Sequence, residues 1–78
     1  MSWTPEVIAE LEVLCLYNLD SMQDGIKIHS SAGAERVAAA QRLFEKGLIS
    51  QVDGGYLTSL GLETAAHAQA VQTVLLAD

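Results

Sequence analysis

The amino-acid sequence predicts one α+β domain in the order helix, strand, helix, hairpin, helix. Three observations carry that expectation. The 78 residues are enough for a single small domain and one core. Three segments space apolar residues at helical intervals between recognisable start and stop signals. Between the second and third lies Asp53-Gly54, flanked by two short apolar runs, which is the local signature of a β-hairpin. Half the residues are apolar and 18% are charged, a balance that favours a packed core over disorder.

The first helix is expected over residues 5–18. Thr4 can cap it through its hydroxyl, and Pro5 occupies the first helical position, where a missing N–H costs nothing. Glu6 places negative charge at the positive end of the helix dipole. Trp3 and Ile8 have the spacing of a hydrophobic staple around the cap. Val7, Ile8, Leu11, Leu14, Cys15 and Asn18 fall on one side, which reads as the inner face, and Glu6 and Glu10 fall on the other.

Residues 20–25 read as a loop, and Ile26-Lys27-Ile28 as a short strand of alternating character. The second helix is expected over 34–46, with Val37, Ala40, Leu43 and Phe44 inward and Arg36, Ala39, Arg42 and Lys46 outward. Gly47 suits the left-handed position beyond a helix end, and Leu43 and Leu48 take the two places that touch in a Schellman ending. Residues 48–52 and 55–58 flank Asp53-Gly54 as the two hairpin strands, both turn residues taking positive φ. A third helix then runs from a Thr58 cap to Leu76, with Leu60, Ala65, Ala68, Val71 and Leu75 as a stripe and alanines at 65, 66, 68 and 70 allowing close approach of another helix.

The stretch Leu43-Phe44-Glu45-Lys46-Gly47-Leu48-Ile49, followed by Asp53-Gly54-Gly55-Tyr56-Leu57-Thr58-Ser59-Leu60-Gly61, resembles the back half of winged-helix domains. There a recognition helix ends in Leu-x-x-x-Gly-Leu-Ile, a two-stranded wing follows, and Tyr-Leu-Thr with a glycine opens the last helix. The whole chain is also similar to a family of short uncharacterised bacterial proteins that are sometimes described as DNA-binding proteins or transcriptional regulators. The resemblance implies a winged-helix-like fold and double-stranded DNA as a partner. Two features depart from the pattern. Only five residues, 29–33, separate Ile28 from Ala34, so the first helix of the helix-turn-helix is truncated or missing. The wing tip, Asp53-Gly54-Gly55, carries no cation to reach a groove.

Ten acids against four bases give a net charge of −6, the wrong sign overall for nucleic acid or an anionic membrane. The bases are clustered, however. Lys27, Arg36, Arg42 and Lys46 lie in a window that sums to +2 with Glu35 and Glu45, while the rest of the chain carries −8. If that window binds DNA, Arg36 and Arg42 contact phosphate or guanine edges, Gln41 reads a base and Lys46 touches backbone, with Lys27 in the same binding set. The alternative is a solvated helix face, with Lys46 near the negative end of its own helix.

Other chemistry finds little support in the residues. Cys15 sits at an apolar helical position and reads as a structural thiol; a single cysteine excludes an internal disulfide and fits a reducing, cytoplasmic setting. His29 and His67 have no partner at metal-ligand spacing, so neither a metal nor a cofactor is expected. Glu6, Glu10 and Glu12 read as a solvated face, and with no nucleophile–base pair the chain is not expected to be an enzyme. The amino-terminal residues hold three glutamates and no base, unlike a signal peptide, and the uncharged stretch 64–77 is 14 residues, too short for a membrane span of about 20. Two functions stay open: a DNA-binding module acting through residues 34–46, and an acidic protein-interaction or homodimerisation domain with Val71, Val74, Leu75 and Leu76 as its interface.

Overall fold

A computed structural model describes residues 2–21 and 24–77. The elements are α1 (Pro5–Leu14), β1 (Ile26–Lys27), a single 3-10 turn (Ser30–Ala32), α2 (Ala34–Glu45), β2 (Ile49–Gln51), β3 (Gly54–Leu57) and α3 (Ser59–Leu75). This is the expected α+β layout of three helices, a hairpin and a short extra strand, and that strand joins the hairpin in one antiparallel sheet ordered β1-β3-β2. Part of the expected 20–25 loop, Met22 and Gln23, lies outside the described residues.

The local signals act as predicted. The Thr4 hydroxyl accepts a hydrogen bond from the Val7 N–H at 3.1 Å and so caps α1. At the other end of α2, Gly47 has φ +81. The Leu48 N–H donates to the Leu43 carbonyl at 2.9 Å and the Gly47 N–H to that of Phe44 at 3.0 Å, which is the Schellman pair. Thr58 caps α3, accepting from the Gly61 N–H at 3.0 Å, and its own hydroxyl donates to the Gly47 carbonyl at 2.7 Å. One threonine thus ties the start of α3 to the end of α2. Gly61 is required there, because a Cβ would overlap the Leu48 carbonyl oxygen.

Several expectations are corrected. Helix α1 ends at Leu14, not 18, and Asn18 is exposed outside it. The Gln69 side chain of α3 donates to the carbonyls of Leu14 at 3.3 Å and Tyr17 at 2.8 Å, satisfying groups that a longer helix would use internally. Asn18 turns the chain by accepting from the Asp20 N–H at 3.0 Å. The hairpin turn is Val52-Asp53, one residue earlier than expected, since Gln51 pairs with Gly54. Among the described residues none other than glycine has positive φ, so Asp53 does not take the conformation that an Asp-Gly turn demands. Gly54 instead joins β3, where β1 runs so close that a Cβ would collide with the Ile26 carbonyl oxygen. The register shifts between Ile49 and Gln51, and at this bulge the Ser50 hydroxyl accepts from the Tyr56 N–H at 2.8 Å.

The core joins Val13, Leu14 and Tyr17 with Ala39, Ala40 and Leu43, and with Ile28, Leu48, Ile49, Ala65 and Ala68. Helix α2 is rotated relative to the expected face. Ala39, predicted outward, is fully buried, whereas Val37 and Phe44, predicted inward, are exposed. The reason is α1, which packs on the side of α2 that carries Ala39 and Arg42. Val37 leans instead over a hollow bounded by Ile28, Val52 and Asp53 at the sheet.

Candidate interaction surface

Helix α1 has two inward faces, and the single apolar stripe in its sequence revealed one of them. The face towards α2 carries Glu6 and Glu10, one helical turn apart, which were expected to be solvated. Glu10 is buried. Its carboxylate accepts a hydrogen bond from Arg42 Nε at 3.0 Å and pairs with Lys46 Nζ. Arg42 Nη2 also donates to the Glu6 carbonyl oxygen at 3.2 Å. Burial by itself would raise the Glu10 carboxyl, but the hydrogen bonds and charges of Lys46 and Arg42 outweigh it and hold the group below its ordinary value.

The five residues proposed to touch nucleic acid are therefore divided. Arg42 and Lys46 belong to the α1–α2 seam and share one carboxylate. Lys27 and Gln41 are exposed and Arg36 is half-buried, on β1 and α2. Neither ion pair was legible in the sequence, because each joins residues more than 30 positions apart.

The second face of α1 meets α3. Trp3, Ile8, Leu11 and Cys15 line one side of a groove of about 320 Å³, and Thr64, His67, Ala68, Val71 and Gln72 line the other. Trp3 and Ile8 do share a surface, as the staple spacing predicts, but both stay largely exposed at its mouth. The groove runs on through Val71 to an apolar shelf formed by Ala70, Val71, Val74 and Leu75. Of the expected α3 stripe, Ala65 and Ala68 are buried, while Leu60, Val71 and Leu75 are exposed. All four proposed interface residues, Val71, Val74, Leu75 and Leu76, are exposed; the first three share the α3 face that continues the groove, and Leu76 caps the helix end.

Burial shapes two further titratable side chains. Burial and the nearby Glu12 charge push the Cys15 thiol up, away from the reactive thiolate. Tyr17 is buried, its hydroxyl has no hydrogen-bond partner among the described residues, and burial pushes it up to about 12. No group of three or more potential metal ligands occurs among the described residues. No helix among them is long and apolar enough to cross a membrane.

A family model matches residues 1–76, nearly the whole chain. The chain belongs to that family, described as Family of unknown function (DUF5669). No curated protein and no solved structure matches it. A DUF5669 chain is therefore read from its own geometry, and this one leaves an apolar surface open along α1 and α3.

Proposed function

We propose that this domain is a protein-interaction module acting through the apolar face shared by α1 and α3. The observation that supports it most is the continuity of that face. Trp3, Ile8, Val71, Val74 and Leu75 stay exposed together, while side chains of the same kind, such as Val13, Leu14, Leu43 and Ile49, are buried in the core. Contiguous apolar surface costs solubility unless a partner covers it. The test is a photo-crosslinking side chain introduced in the native host. At position 74 it should give discrete protein adducts, and at position 45, on α2, it should give none. Absence of adducts from position 74 overturns the proposal.

A second reading is a DNA-binding module of winged-helix type, a small transcriptional regulator acting through α2. What supports it is the order of elements, with a strand before α2 and a hairpin after it, together with the motif resemblance at 43–61. Lys27, Arg36 and Gln41 are its remaining candidates outside the Glu10 ion pairs. Fluorescence anisotropy with mixed duplexes decides it. Binding that falls steeply between 50 and 200 mM salt supports it, and no binding at 50 mM removes it.

A further inference from the structure

We infer that the occupant of the α1–α3 face is a second copy of this chain, the two α3 helices meeting across a two-fold axis. The inference rests on the interaction reading above and names its partner. Two observations favour a copy over an unrelated protein.

The first is area. Trp3, Ile8, Val71, Val74 and Leu75 are 68, 46, 50, 73 and 75% exposed. Together these residues expose roughly 650 Å² in all, most of it side chain, near the lower end of the ~600–1,000 Å² per partner that a stable interface buries. Two such faces make a whole interface without help from the sheet or from α2.

The second is charge. The chain carries −6 overall, yet residues 64–77 contain no Asp, Glu, Lys or Arg. A two-fold contact brings the same surface of both copies together, residue i meeting j and j meeting i, so a surface carrying one sign of charge would repel its copy. Beyond Glu63, α3 of this acidic protein carries no such charge. The single charged side chain lining the groove is Glu12, and it is exposed. A heterologous partner would find no charge on α3 beyond Glu63 to recognise, and charge pairing is what usually sets partner choice. Ala70, small and exposed beside Val71 and Val74, lets the second helix approach closely.

Light scattering coupled to gel filtration, from 1 μM to 1 mM, tests the inference. The expected result is a dimer of the 8.3 kDa chain. Val74→Asp should raise the dimer dissociation constant by at least about 100-fold, because two uncompensated carboxylates enter one interface. Val52→Asp, at the hairpin turn, should leave it unchanged. Val74 is largely exposed, so circular dichroism of Val74→Asp should match the parent, and Trp3, the sole tryptophan, should shift to the red as the dimer is lost. A wild-type monomer at 1 mM overturns the inference, as does a dimer that Val74→Asp leaves intact. Adducts from position 74 that contain another protein and no second copy also overturn it, while leaving the interaction reading standing; no adduct at all sinks both.

Discussion

The two seams of α1 are built from opposite materials. Against α2 the helix buries a carboxylate between two cations, over alanines small enough to let the backbones close. Against α3 it presents Trp3, Ile8, Leu11 and Cys15, and the seam stays open as a groove. Ion pairs close the Glu10 end of one seam, where a hollow of about 270 Å³ remains beside Glu6, Glu35 and Arg42, and apolar bulk leaves the other seam unfinished. Burying Glu10 is tolerable only because both cations reach it. Leaving Trp3 in water is costly unless something covers it. The closed seam thus serves the fold of a single chain, and the open one is where a partner gains most.

The largest expected effect lies behind the closed seam. Leu43 is fully buried and anchors both α2 and the Schellman ending. Leu43→Ala should cost about 2–5 kcal/mol in urea unfolding, through lost burial and a residual cavity. A loss below 1 kcal/mol would show that this side is not the rigid one.

Glu10→Gln comes next, at about 1–3 kcal/mol, less than the 3–5 of a fully buried pair because Lys46 keeps half its side chain in water. The acid limb supplies the signature. The folded carboxyl lies below its unfolded value, so its stabilisation is complete above the ordinary carboxylate range and is lost as pH falls through the folded value. Chemical denaturation across pH 2–7 should show a flatter acid limb in Glu10→Gln than in the parent. Equal slopes would mean that the ion pairs contribute nothing.

The smallest effect belongs to the polar tie of the open seam. Gln69→Ala removes two hydrogen bonds, to the carbonyl of Leu14 at the end of α1 and to that of Tyr17 beyond it, and should cost about 1 kcal/mol. Amide exchange should accelerate over residues 15–18 while α2 is unchanged. Equal acceleration in α2 would mean that the two seams open together.

Legibility in the sequence followed distance along the chain. The Thr4 and Thr58 caps, the Gly47 ending and the presence of a hairpin were readable because each depends on residues within five positions. The hairpin turn was misplaced by one residue, because its position answers to β1, whose Ile26 carbonyl excludes any side chain at Gly54. The outward assignment of Glu10, Ala39 and Arg42 failed for a related reason. A periodicity argument finds one apolar stripe, whereas α1 lies between two helices and its second inward face is polar. Nothing beside Glu10 in the sequence announces Arg42 and Lys46 as its partners. Of the candidate sites, the exposed α3 side chains were readable from their spacing. The groove that joins them to Trp3 was not, since it needs α1 and α3 side by side.

The sequence alone settled where each helix begins, how α2 stops and that a hairpin follows, because capping and turn chemistry act within one turn of backbone. Only the tertiary structure decided which faces of α1 and α2 meet, that Glu10 takes Arg42 and Lys46 out of free solvent, and that Trp3 and Val71 share a groove. Those outcomes depend on how whole helices dock, and docking is fixed by volumes and charges brought together from distant parts of the chain.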